Sequence, residues 1–161
     1  MKKPVLNNKY NSLGNDSRYF VITGGRGSGK SFAITTFLAF LTFEQGHKIL
    51  FTRYTMISAA NSIIPEFLEK LELYGIIEHF RITKDEILNI STGSSILFKG
   101  IRTSAGNQTA ALKSISGITT WVLDEAEELI KEEDFDKIDQ SVRSKSKPNR
   151  VMMILNPTTK E

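Results

Sequence analysis

The sequence predicts an α/β fold: a mainly parallel central sheet flanked by helices, with a β-hairpin inserted into it. Three observations carry this expectation. Short apolar runs that stop at glycine or at acids alternate with stretches of helical periodicity, the pattern of strands joined by crossover helices. One junction, Gly24 to Ser31, reads GGRGSGKS, a glycine-rich turn between an apolar run and a helix. Between Arg81 and Lys99 the period changes, and ILNI, STGS and SILFK follow one another as a hairpin would.

Each element follows from local patterning. Asn7 to Ser17, NNKYNSLGNDS, is polar and turn-rich, so residues 1–17 read as an irregular lead-in. RYFVIT, Arg18 to Thr23, reads as a buried strand. From Lys30 to Gln45 apolar residues thicken without a breaker, predicting a helix that ends near Gly46. KILFTR, Lys48 to Arg53, is a second strand. Ser58 to Tyr74 sets Ile63, Ile64, Phe67, Leu68 and Leu71 at helical spacing, with Gly75 as the stop. The hairpin turns at Thr92-Gly93. Gly100 to Gly117 is rich in Ser, Thr, Gly and Asn and is expected to be mobile. TTWVL, Thr119 to Leu123, is a strand running straight into DEAEE, and its Trp121 is expected in the core. Phe135 to Ser144 is expected to be helical. VMMIL, Val151 to Leu155, is the last strand and ends at Asn156-Pro157. Such a sheet should be covered on both faces.

At 161 residues the chain fits one domain with a real core. It contains no cysteine, which excludes disulfides and thiolate metal sites. The longest apolar stretch, Ile34 to Phe43, is broken by threonines and too short to span a bilayer. MKKPVLNNKY lacks the apolar core of a signal peptide, so a cytoplasmic protein without membrane contact is expected. The net charge of +3 hides a segregation. Nine of the 18 acids fall between Asp124 and Asp139, whereas none occurs from Ile87 to Leu123, which carries Lys99, Arg102 and Lys113. RSKSKPNR, Arg143 to Arg150, is a second basic cluster. Segregation of this kind suits a protein that meets a polyanion on one face, although solvated surface charge looks the same.

GGRGSGKS matches G-x-x-x-x-G-K-[ST] with a strand before it and a helix after it, the context that gives the match meaning. Glycines let consecutive backbone N–H groups turn inward onto phosphate oxygens, and the helix N-terminus adds partial positive charge. Gly24, Gly25, Arg26, Gly27, Ser28, Gly29, Lys30, Ser31 and Phe32 are therefore expected to bind a nucleoside triphosphate. Lys30 can reach the β- and γ-phosphates, and the Ser31 hydroxyl can ligate Mg²⁺. The fold class sharpens to a P-loop NTPase of the RecA/ASCE-like kind.

Hydrolysis needs a carboxylate near the metal and a group that activates water. Asp124 and Glu125 sit at the C-terminal end of a strand, where ligands bind in parallel sheets, about ninety residues after the loop. Asp124 is expected to hold Mg²⁺ and Glu125 to act as general base. Glu127 and Glu128 read as solvated helix residues. A water-activating acid beside the metal acid favours hydrolysis over transfer to a second substrate. Asn156, at the tip of the last strand, could sense the γ-phosphate through its amide, or simply close an Asn-Pro turn.

With these motifs together, the chain resembles the ATPase domain of large terminase subunits, the motors that package DNA into capsids of tailed phages and related viruses. The resemblance covers Tyr19 to Thr158. It rests on GGRGSGKS, ILFTR ending at Arg53, TGSSILFKGIR at Thr92 to Arg102, LKSISGITTWVLDEAEE at Leu112 to Glu128, and ILNPT at Ile154 to Thr158. It implies ATP and Mg²⁺ as cofactors, held by Lys30, Ser31 and Asp124, with Glu125 catalytic and Asn156 in the element coupling hydrolysis to motion. It also implies double-stranded DNA, a portal protein and procapsid, and a small terminase subunit as partners, in the host cytoplasm. These motors work as homo-oligomeric rings, usually of five, although the isolated domain is expected to be a monomer. An arginine from a neighbouring subunit is expected to complete the site. Arg102 is the first candidate, with Arg53 and Arg143 as alternatives; Arg26, inside the loop, would act in cis. The family continues into an RNase H-like nuclease, and this chain stops soon after Pro157. Residues 1–161 are thus expected to be a single ATPase domain without nuclease activity. No adenine-binding signature is evident between Tyr10 and Tyr19.

Two other readings fit the same motifs: a helicase- or recombinase-like P-loop ATPase, and a nucleotide-gated DNA- or capsid-docking module. DNA contact should be electrostatic and sequence-independent, through Lys99, Arg102, Lys113 and RSKSKPNR.

Overall fold

Residues 4–55, 62–103, 106–107, 109–129 and 131–157 are described by a computed structural model. Their strands form one sheet: β1 (Tyr19–Thr23), β2 (Lys48–Thr55), β3 (Phe80–Ile82), β4 (Glu86–Asn89), β5 (Ser95–Thr103), β6 (Gly106–Asn107), β7 (Thr120–Leu123) and β8 (Arg150–Leu155). The order is β1-β8-β7-β2-β5-β4-β3, with β6 paired to β5. From β1 through β5 every pairing is parallel, and β3, β4 and β6 are antiparallel additions. The mainly parallel sheet and the inserted hairpin are therefore as expected. One consequence decides the site: β8 separates the glycine-rich loop's strand from the strand that carries the acid pair.

Helices α1 (Lys30–Leu41), α2 (Ile64–Leu73), α3 (Thr109–Lys113) and α4 (Glu132–Asp139) link the strands. Two apolar clusters sandwich the central strands. Ile49 and Phe51 of β2 face one cluster, with Phe67 and Leu71 of α2 and Ile34 and Leu38 of α1. Leu50 faces the other, with Trp121, Leu123 and Ile138. This strict alternation along β2 shows a strand buried on both faces. Phe51, Phe67 and Phe98 pack ring to ring at centroid distances of 5.4–5.9 Å, each fully buried aromatic contributing about 2–3 kcal/mol. Trp121 is fully buried, and its indole N–H donates to Thr52 Oγ1 at 2.8 Å.

Several boundaries differ from expectation. The first helix ends at Leu41, not Gln45, because its last turn tightens. Phe43 N–H donates to the Phe40 carbonyl and Glu44 N–H to the Leu41 carbonyl, while the Thr42 hydroxyl donates to the Ala39 carbonyl at 2.6 Å. The second helix is described from Ile64, and residues 58–61 of the expected Ser58–Tyr74 helix lie outside the described residues. It ends at Gly75 as expected, through a Schellman pair: Ile76 N–H to the Leu71 carbonyl and Gly75 N–H to that of Glu72, both 2.9 Å. Within Gly100 to Gly117 β5 continues to Thr103, and β6 and α3 follow, with residues 104, 105 and 108 outside the described set. The lead-in is also structured, as a 3₁₀ helix over Asn8–Gly14 whose Tyr10 and Leu13 are buried. The helix expected over Phe135–Ser144 runs instead over Glu132–Asp139, started by the acids that favour a helix N-terminus.

Coverage on both faces holds for the middle of the sheet only. On edge strand β1, Phe20 and Ile22 are buried but Val21 is 62% exposed, since α3 and α4 pack under β7 and β8 and stop short of it.

Candidate functional site

The loop from Gly24 to Ser31 runs from the end of β1 into α1. Gly29 sits at φ 80°, ψ 13°, a left-handed position that glycine holds without steric cost, immediately before the first helical residue. Gly24 leaves room for a neighbour: a Cβ there would stand 2.8 Å from Ser28 Oγ and 3.2 Å from Ser28 Cβ, so the Ser28 side chain would have to shift. Lys30 is 6% exposed, and its ammonium group is folded back into the loop. It donates to the carbonyls of Gly24 and Gly25, the latter at 3.2 Å, and lies 3.4 Å from Ser28 Oγ.

The lead-in braces this loop from outside. Both Lys9 Nζ (2.8 Å) and the Tyr10 hydroxyl (3.0 Å) donate to the Ser28 carbonyl. Neither residue was marked by sequence. An aromatic just upstream of a P-loop was the available signal.

A cavity of about 390 Å³ opens over the loop, lined by residues 25–32, Glu66 and Asn156. The structure thus brings Asn156, at the end of β8, to the phosphate-binding loop. Its backbone N–H meets the Glu127 carboxylate at 3.4 Å, so Glu127 is not simply solvated. Phe32 turns its ring under the Lys70 ammonium, 5.0 Å from the centroid. Arg26 is exposed at the loop crest and makes no hydrogen bond or ion pair among the described residues.

Asp124 and Glu125 follow β7. Asp124 is buried, its N–H donates to the Thr52 carbonyl at 2.9 Å, and its Oδ1 accepts from Glu125 N–H at 3.1 Å. Glu125 has φ 54° and ψ 49°, the one described non-glycine residue in the left-handed region. An unfavourable backbone at an acid on the same sheet end as the phosphate loop, two strands away, is the kind of strain that functional sites retain. Burial pushes the Glu125 carboxyl above the ordinary range, Arg53 opposes this, and Asp124 adds to it.

Arg53, at the end of β2, lies between the two acids. Its guanidinium meets Asp124 Oδ2 at 2.7 Å and Glu125 Oε1 at 3.4 Å, and its Nη1 donates to Ser62 at 2.7 Å. Arg53, an alternative for the arginine acting on a neighbouring subunit, is here engaged with its own chain's acids through the register of β2 beside β7. Arg102 is exposed at the end of β5, hydrogen-bonded to the Tyr54 hydroxyl at 2.6 Å. Four strand spacings, roughly 19 Å, separate β5 from β1, beyond an arginine's reach.

The basic clusters divide. Arg143 to Asn149 of RSKSKPNR precede β8, at the sheet end opposite the phosphate loop, and Arg150 is its first residue. Arg150 is only 6% exposed, so it is not a surface contact for a polyanion. Lys99 is paired with Asp85 at 2.9 Å, which holds that carboxyl below the usual range. Nothing in the local sequence pattern singles out Glu66, in the first turn of α2. It is half-buried in the cavity wall, and burial raises its carboxyl above the ordinary value.

Among the described residues no helix is long and apolar enough to cross a membrane, and no group of three or more acids or histidines could hold a metal by itself.

The profile of the family described as phage terminase large subunit matches residues 16–161. No curated protein matches the sequence significantly. Among solved structures, the large terminase of bacteriophage HK97 is similar over 96% of this chain and 34% of that one, with a TM-score of 0.69 at 14% identity. The ATPase domain of the large terminase of Thermus phage P74-26 is similar over 88% of this chain and 60% of that one, with a TM-score of 0.63 at 17% identity. The large terminase of a thermophilic bacteriophage in complex with ATP-gamma-S is similar over 88% of this chain and 33% of that one, with a TM-score of 0.64 at 12% identity. The chain spans about a third of the length of the HK97 protein and of the ATP-gamma-S-bound one. At these identities the likeness establishes the fold, that of a P-loop NTPase.

Proposed function

The chain belongs to the phage terminase large-subunit family, and from that premise we propose that it is the ATP-hydrolysing motor domain that drives double-stranded DNA into a procapsid. The observation that carries this reading is one cavity shared by the glycine-rich loop and Asn156, with the acid pair two strands away on the same sheet end. ATP is the proposed substrate. The loop amides and the start of α1 receive its phosphates, and Lys30 leaves the Gly24 and Gly25 carbonyls for the β- and γ-oxygens.

The hard oxygen donors of Ser31 and Asp124 fit a Mg²⁺ ion that is otherwise held by phosphate and water. Such an ion would neutralise charge developing on the transferring phosphoryl group. Glu125 takes the proton of the attacking water, and Arg53 places a positive charge against both neighbouring carboxylates. Arg26 acts in cis. Arg102 supplies positive charge to the site of the next subunit in a ring of the family's usual five. A portal, a small terminase subunit and the host cytoplasm complete the setting, and residues 1–161 form the ATPase domain.

Duplex DNA should stimulate ATP turnover, with an affinity that falls steeply between low and physiological salt. Stimulation by single strands coupled to strand separation, or a flat salt dependence, would overturn the motor reading. Adding Glu125→Gln subunits, which keep their arginine, should rescue Arg102→Ala subunits. Absence of rescue removes Arg102 from the trans role.

A further inference from the structure

Glu66 stands in the first turn of α2, where an acid is ordinarily explained by the helix dipole. That explanation accounts for its charge and not for its position. Its side chain lines the cavity over the phosphate loop, half-buried, with no hydrogen bond or ion pair to any described residue. Among the surrounding charges Lys70 acts on it most strongly and favourably, and Asp124, Glu69 and Arg53 also lie near enough to act on it.

The helix that carries it is pinned. One turn further on, Lys70 is buried, its ammonium lies over the ring of Phe32 on α1 and meets Glu69 at 3.0 Å. Residues four apart share a helix face, so the contact that seats Lys70 on α1 also aims Glu66 at the loop. Phe67 anchors the same turn in the core.

A carboxylate facing a triphosphate opposes its binding. A divalent cation between the two reverses the sign, since the cation becomes the largest local charge. Ser31, in the wall of the same cavity, and Asp124, close to Glu66, are the residues whose donors suit such a cation. We propose that Glu66 is a metal-positioning residue, its carboxylate accepting hydrogen bonds from water in the outer shell of the cation held by Ser31 and Asp124. It thereby makes nucleotide binding conditional on metal. The inference rests on the nucleotide-binding reading above.

The test is the affinity of the full chain for a fluorescent non-hydrolysable ATP analogue, measured in EDTA and in excess Mg²⁺. Glu66→Gln should bind the analogue more tightly than wild type in EDTA and less tightly in Mg²⁺. The ratio of the two dissociation constants should shrink by about tenfold or more, the usual scale for an outer-shell partner. Glu66→Asp should retain part of the ratio, and Glu72→Gln, on the exposed face of α2, should leave it unchanged. A residue that only stabilises the helix start would lower the melting temperature and leave the ratio alone. An unchanged ratio in folded Glu66→Gln protein, whether both constants move together or neither moves, overturns the proposal. Failure of the wild-type chain to bind the analogue in either condition is a different outcome: it overturns the nucleotide-binding reading, and this inference with it.

Discussion

Arg53 donates Nε and Nη2 to a single carboxylate oxygen of Asp124, at 2.8 and 2.7 Å, while its Nη2 also lies 3.4 Å from Glu125. The two principal side chains are only 14% and 10% exposed, so solvent screens this pair weakly. Removing one member of a buried pair leaves the other charge uncompensated. Arg53→Ala is therefore expected to cost about 3 kcal/mol in urea-induced unfolding, and Arg53→Lys less, since it keeps charge and loses the fork. A loss below about 1 kcal/mol would mean that water already stabilises Asp124.

Glu125 occupies a left-handed backbone that costs an ordinary residue about 1 kcal/mol or more. Glu125→Gly should raise thermal stability by about that amount while turnover is lost. Glu125→Ala, which keeps the backbone penalty, should not show the gain. Equal stability in the two variants would locate the effect in charge and not in backbone.

The Tyr10 hydroxyl and Lys9 share the Ser28 carbonyl. Tyr10→Phe removes one of two donors and is expected to cost about 1 kcal/mol. Nucleotide affinity should fall with it, because the loop loses a brace while keeping every phosphate-facing amide. Calorimetric titration of the variant with an ATP analogue checks this. Unchanged affinity would show that the lead-in packs against the loop without shaping it.

His47 is buried, 3.3 Å from Thr119 Oγ1 and 3.3 Å from Glu44 Oε2, and burial lowers its pKa below 6.5 despite Glu44, with Lys147 and Arg150 adding to the shift. Between the folded and unfolded values the unfolded chain binds a proton that the folded chain does not. Stability therefore rises with pH through that window, is fully present above about 6.5, and is lost below it. Melting temperatures from about pH 5 to 7.5 should show this slope, flattened in His47→Gln. An equal slope in both proteins would assign it to other groups.

Much of the site was legible because its parts are local. GGRGSGKS needs only its own glycines and the strand and helix beside it, and TTWVL runs into Asp124 and Glu125 without a break. What stayed hidden depends on pairing between distant segments. That β8 separates β1 from β7, and that β2 delivers Arg53 to Asp124, are matters of strand order, which no run of residues encodes by itself. Glu66 carries no local signal, because the contact that aims it, Lys70 on Phe32, joins two helices. The lead-in hid its 3₁₀ helix because only Tyr10 and Leu13 in it are buried, too few to show a period. The early end of α1 turned on Thr42, whose hydroxyl competes for the Ala39 carbonyl.

The most direct measurement is paired binding and turnover of Mg·ATP by wild-type protein, Lys30→Ala and Glu125→Gln. Wild type should bind and hydrolyse. Glu125→Gln should bind as tightly with turnover reduced by about a hundredfold or more, and Lys30→Ala should lose both. Wild-type affinity in Lys30→Ala, or wild-type turnover in Glu125→Gln, would contradict a triphosphate held in this loop and hydrolysed by this acid.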